Sequence, residues 1–140
     1  MRKETWLVLN VSFWSFAAGF VIHLFSGLFY VSSFVGERDP LLLLMLTVYM
    51  LSGNLVLHGF LYFAVAVPLM AGLFRCWNPA DPAMYPLSGS GIGLAVALVA
   101  AFLVKTVDWY SMMLWVSAGF VFGCLWWNRL YAAGESQYAT

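Results

Sequence analysis

The sequence predicts an all-α integral membrane protein: four transmembrane helices joined by short loops, with both termini on the inner side. Three observations carry that fold class. Of 140 residues, 64% are hydrophobic and 9% charged, whereas an average soluble domain carries about 25% charged residues. No charged residue stands between Glu4 and Glu37, Asp39 and Arg75, Asp81 and Lys105, or Asp108 and Arg129, and each interval reaches the ~20 apolar residues that a helix needs to cross the hydrocarbon core. These runs also lack the period-two alternation of a barrel strand, which leaves helices as the structures that satisfy their own backbone in lipid.

The expected spans are 6–33, 41–74, 88–106 and 110–131, in one transmembrane domain covering 1–140. The first opens on "MRKETW" and places Ser15 and Ala17 where a signal peptidase would want small residues. Its apolar run continues well past Ala17, so it reads as an uncleaved helix. Asp39-Pro40 precedes "LLLLML" and supplies an N-cap carboxylate with proline at the first helical position. The second span is longer than a bilayer requires and contains Pro68, which predicts tilt, protrusion or a kink near Ala64 to Pro68. Residues 76–87 hold Pro79, Pro82 and Pro86 with two Asx-Pro steps, and they read as the one substantial loop.

The third span carries Gly89, Gly93, Ala97 and Ala101 at intervals of four, and the fourth, capped by Asp108 with Lys105 in reach, carries Gly119 and Gly123. Small-xxx-small ridges let helix backbones approach closely where lipid supplies no hydrophobic drive. Packing of the third helix on the fourth accounts for such ridges, and one of the two faces is expected to meet another subunit. Glycine that makes room for a cofactor is the other reading.

Flanking cations set the orientation. With four crossings, Arg2, Lys3, Arg75 and Arg129 share one side while Arg38 and Lys105 lie on the other, so the positive-inside rule puts both termini inside. Trp6, Trp77, Trp126 and Trp127 would form the inner aromatic belt, and Trp109, Tyr30 and Tyr110 the outer one. The location follows: a bacterial inner membrane, a mitochondrial inner membrane or a thylakoid. Balanced charge, six cations against six anions, removes nucleic acid from the partners.

Two stripes carry the polar chemistry. Ser15, Gly19, His23 and Gly27 recur every four residues on the first helix, and Asn54, His58 and Tyr62 do so on the second. Polar residues within a membrane face protein, so both stripes are expected to look into the bundle or toward another subunit. Imidazole ligates haem iron or chlorophyll magnesium, and glycines a turn away leave room for a macrocycle. Counting from the helix ends, however, puts His23 and His58 about 9 Å apart in depth at 1.5 Å per residue, which argues against both clamping one haem. Three readings of the histidines remain: hydrogen bonding to neighbours (Ser15 and Trp14 near His58, Tyr49 and Ser52 near His23), ligation of a tetrapyrrole, and a quinone or proton-pathway role.

Other chemistry is sparse. Cys76 and Cys124 show no ligand spacing, no P-loop, dinucleotide fingerprint, HExxH or nucleophile elbow is present, and the spans contain no interior Asp or Glu for a transporter. The pentad His23 to Gly27, "HLFSG", resembles the His-x-x-Ser-Gly element of the cytochrome b anchor subunits of succinate dehydrogenase. It covers five of 140 residues, has Leu24 where an arginine is usual, and assigns no family. By elimination the chain is expected to be a small anchor subunit of a multi-subunit membrane complex of the energy-transducing kind, respiratory or photosynthetic. It would have no catalytic activity of its own, and other membrane subunits and the bilayer would be its partners. The alternatives are a subunit that binds haem b, chlorophyll or quinone through His23 or His58, and a small oligomeric channel or transporter.

Overall fold

A computed structural model describes residues 3–35, 39–76, 81–104 and 109–138, and their regular structure is all helical. The elements are α1 (Lys3–Val35), α2 (Pro40–Leu61), a π-helical turn (Tyr62–Ala66), α3 (Val67–Cys76), α4 (Met84–Val104) and α5 (Trp109–Tyr138). α2, the π turn and α3 follow one another without a break over the residues expected for the second span. Among the described residues three stretches, Thr5–Ser33, Leu55–Cys76 and Met84–Phe102, are long and apolar enough to cross a membrane.

The helix starts follow from local chemistry. Asp39 accepts hydrogen bonds from the backbone N–H groups of Leu41 and Leu42 at 3.2 and 3.1 Å, and Pro40 opens α2 as its capping pattern requires. α4 starts at Met84, earlier than the expected 88. Asp81 caps that end: its carboxylate accepts from Ala83 N–H at 2.9 Å and its carbonyl from Met84 N–H at 3.1 Å. Pro86 sits in the first turn, where an N–H would have no intrahelical partner, so it costs the helix nothing. The loop expected over 76–87 is shortened accordingly. α1 and α5 extend beyond the expected 6–33 and 110–131. The cap expected of Asp108 and its pairing with Lys105 lie outside the described residues.

Pro68 produces a π-helical turn rather than a break. Its ring crowds the carbonyl four residues earlier and offers no N–H to it. The turn immediately before it widens, so that the Val67 N–H reaches the Tyr62 carbonyl. The wider turn has a packing consequence. His58, Tyr62, Ala66, Met70 and Phe74 are all buried although they are spaced by four, and at 3.6 residues per turn such a series drifts by about 40° at each step. A wide turn in mid-series offsets part of that drift and holds the five on one side.

α5 is the central helix. Against α4 it packs backbone to backbone: a methyl placed on Gly89 would strike the carbonyl of Gly119, one on Gly119 the carbonyl of Gly89, one on Gly93 the carbonyl of Trp115, and one on Gly123 the carbonyl of Tyr85. Ala97 is buried further along the ridge and Ala101 half-buried. The two small-residue faces therefore occupy each other, which corrects the expectation that one of them is left for another subunit. Against α1, α5 brings Ala118 and the Leu114 carbonyl so close to Gly19 that an added methyl would lie 2.7 Å from each.

The α4–α5 pair and the α1–α2 pair differ in reach. Call the end holding Val35, Pro40, Val104 and Trp109 distal and the opposite end proximal. From Gly19, α1 runs sixteen more residues, about 24 Å, to its distal end, while α5 has only about 8–13 Å left between Leu114 or Ala118 and Trp109. The start of α2 extends further still. Its exposed residues include Leu41, Leu42, Leu44, Met45, Val48 and Tyr49, and those of distal α1 include Phe25, Leu28, Phe29 and Tyr30. At the proximal end Trp6 is exposed, but Trp126, expected in the aromatic belt, is buried and stacked on Phe122 with centroids 5.6 Å apart. Trp109 is exposed as the outer belt requires, and the side chains of Trp77 and Tyr110 lie outside the described residues.

The glycine contacts predict a contrast. Gly119→Ala forces α4 and α5 apart and should cost about 1–3 kcal/mol or more, the usual range for overpacking. Gly91→Ala, where nothing lies within 4 Å, should be neutral or stabilising by up to about 1 kcal/mol. Unfolding of both variants in the same micelle by denaturant titration checks this, and equal stabilities would contradict the packing described.

Candidate functional site: a buried histidine pair

The first-helix stripe faces inward throughout: Ser15, Gly19, His23 and Gly27 are all buried. On α2, His58 and Tyr62 are buried with it, and Asn54 lies one turn before His58 with its side chain outside those described. His23 and His58 are 2% and 8% exposed, and their ring centroids lie 5.6 Å apart at an interplanar angle of 66°. This overturns the depth argument. The hydrogen bond between Ser15 and Tyr62, 2.7 Å long, fixes the register of the two helices. From it His23 lies about 12 Å and His58 about 6 Å toward the distal end, an offset of ~6 Å rather than 9 Å. Side chains lean toward the N-terminus of their own helix, and the two helices are antiparallel, so the two imidazoles lean toward each other and close the remainder.

The pair is bordered by hydroxyls and rings. Ser111 at the start of α5 places its Oγ 3.4 Å from His58 Nε2. Trp115, one turn further on, meets His58 edge to face at 5.7 Å, and Phe20 lies 6.0 Å from His23. On the proximal side Ser15 donates to the Val11 carbonyl at 2.6 Å, which leaves its oxygen to accept from the Tyr62 hydroxyl. The partners expected from depth alone are not the ones found. Tyr49 is 77% exposed, Ser52 bonds the Tyr49 carbonyl, Trp14 is exposed, and Ser15 meets Tyr62 instead of His58.

The geometry also tests the cofactors. The cavity bordering His23, lined by Leu24, Gly27, Leu28, Val31 and Thr47, measures about 10 Å³, room for about one water. Gly19 is filled by α5 and Gly59 faces Phe16, with an added methyl 3.5 Å from its ring. A tetrapyrrole between His23 and His58, whose ring centroids lie 5.6 Å apart, would have to part α1 from α2. The packing thus favours histidines engaged with neighbours over histidines on either face of a ring. Among the described residues no three His, Cys, Asp or Glu side chains converge to hold a metal ion.

No known protein family, characterised protein or solved structure matches the chain. The resemblance of His23 to Gly27 to an anchor-subunit element stays at five residues, and function rests on the site itself. Sequence reasoning missed Ser111 and Trp115, which carry no spacing signal linking them to His58. Only the parallel course of α2 and α5 brings them there.

The donor assignment is testable. Tyr62→Phe removes one interhelical hydrogen bond and should cost about 0.6 kcal/mol, with ~1.7 as an upper bound for such bonds in membranes. Ser15→Ala strands the buried Tyr62 O–H and should cost more, about 1–3 kcal/mol. Steric-trap unfolding in bicelles measures both, and the reverse order would show that Ser15 is not the acceptor.

Proposed function

We propose that the chain is a four-span membrane subunit, with α5 as the fourth span and both termini inside, that serves as an anchor in a multi-subunit complex of the energy-transducing kind. The observation that supports it is the unequal reach of the two helical pairs. Measured from Trp6, Arg75 and Arg129 at the proximal end, ~20 residues of helix fill a 30 Å hydrocarbon core. The α4–α5 pair has that length. Distal α1 and the start of α2 run beyond it with Phe29, Leu41, Leu44, Met45 and Val48 outward, and an apolar hairpin end of this kind buries its surface against a neighbouring polypeptide. α5 supports the span count because it is uncharged from Trp109 to Asn128 and matches α4 turn for turn through Gly89, Gly93, Gly119 and Gly123. Arg75 and Arg129, both exposed at the proximal end, favour that end as the inner one.

Two measurements test this. In a Cys76→Ser, Cys124→Ala background, Thr5→Cys and Ser136→Cys should react with an impermeant thiol reagent from the same, inner side, and labelling from opposite sides would remove the fourth span. A photo-crosslinker at Val48 should give one discrete protein adduct that co-purifies with the chain in fixed ratio from its native membrane, while one at Phe102 on α4, 83% exposed, should give lipid adducts. Lipid adducts at both positions, with the chain running at monomer mass, would overturn the subunit reading.

A further inference from the structure

Buried polar side chains are segregated along this bundle. Among the described residues the buried serines and histidines, Ser12, Ser15, His23 and His58, joined by the Tyr62 hydroxyl, lie on the distal side of an aromatic layer whose own buried polar groups are those of Tyr85 and Trp126. That layer consists of Phe74, Tyr85, Phe122 and Trp126, with Phe74 and Phe122 centroids 6.0 Å apart and Phe74 and Tyr85 5.4 Å apart. We propose that His23 and His58 together form a proton-binding site that exchanges one proton with water at the distal end of the bundle and is closed to the proximal end. The site stands on its own geometry and does not depend on the subunit reading.

Four features of the pair point to a proton as its ligand. Imidazole is the side chain whose unperturbed titration falls between pH 5 and 8, and a neutral ring both donates and accepts. With ring centroids 5.6 Å apart, one added proton on the pair repels a second, so the two rings bind protons as a unit. Trp115 beside His58 puts an aromatic system within the ~6 Å at which a cation is stabilised by a ring. The Ser111 hydroxyl, 3.4 Å from His58 Nε2, places an exchangeable proton beside the pair. On loading, an N–H bond forms on an imidazole nitrogen and a hydronium or buffer acid loses its proton; release is the reverse.

Access and closure follow from position. Ser111, which contacts His58, is two residues from Trp109, 76% exposed at the distal end. Among the described residues, the groups beside the pair include Phe20 from α1, Thr47 from α2, and Ser111 and Trp115 from α5, with the Ser15–Tyr62 bond on the proximal side. None carries a formal charge. The side chains of Asn54, Lys105 and Asp108 lie outside the described residues.

The chain contains two histidines, so every imidazole signal belongs to the site. Histidine-¹⁵N-labelled full-length chain is reconstituted into vesicles selected for one insertion orientation by a C-terminal tag, and solid-state NMR follows the imidazole nitrogens while the pH is stepped from 8 to 5 on one side at a time. Steps on the distal side should add one proton per chain, shared by both residues, and steps on the proximal side should leave the spectrum unchanged. His58→Gln should lower the proton affinity of His23 about tenfold or more, and Trp115→Leu should lower that of the pair, with Trp115→Phe restoring most of it and controlling for folding. Rings that stay neutral to pH 5, that titrate independently of each other, or that follow the proximal pH would each overturn the proposal.

Discussion

The backbone contact between α4 and α5 is the constraint on which the rest of this molecule depends. Lipid tails are as apolar as leucine, so two apolar helices gain little by leaving lipid for each other, and association rests on close packing and weak polar contacts. Gly89 and Gly119 supply both: each carbonyl lies where the other residue's Cβ would be, a geometry suited to Cα–H···O contacts worth about 0.5–1 kcal/mol each. With that face taken up by glycine, the large side chains of α5 have to occupy its remaining sectors. Leu114 and Ala118 turn to Gly19 on α1, whereas Trp115, Phe122 and Trp126 turn to the rod formed by α2 and α3.

That rod answers α5 through its π turn. Without the widened turn, the series from His58 to Phe74 would rotate away from α5, and either the histidine or the proximal aromatics would lose contact. With it, His58 meets Trp115 at one end while Phe74 stacks against Phe122 and Trp126 at the other. Pro68 is therefore the sequence feature that lets one rod serve both layers, and the separation of polar from aromatic groups along the bundle follows from it.

How much of this was legible in the sequence depends on whether a feature is local. The charge-free intervals, the Asp39-Pro40 cap and the glycine ridge were readable because each is set by residues within a turn or two of one another. The start of α4 was misread because Pro86 looks like a loop residue unless Asp81 is recognised as the cap. Trp126 was misplaced because tryptophan suits both an interface belt and a core, and only the Phe74–Phe122 stack decides between them. The histidine pair was the largest miss. Both stripes were found, but depth was counted from helix ends, whereas the register is set in mid-span by Ser15 and Tyr62 and by the mutual lean of antiparallel side chains.

The depth of the pair has a physical logic of its own. His23 and His58 lie just below the start of α5, beyond which α1 and α2 run on without it. Proximal to that level a polar group would be enclosed by rings, and an uncompensated one costs several kcal/mol in such surroundings. Distal to it most side chains are exposed, Phe29, Leu44 and Tyr49 among them, although Val31 is still buried. The level of Ser111 is the one place where three helices converge and the distal surface is still within two helical turns. Imidazoles placed there are enclosed by protein yet lie within about two helical turns of the distal end of α5.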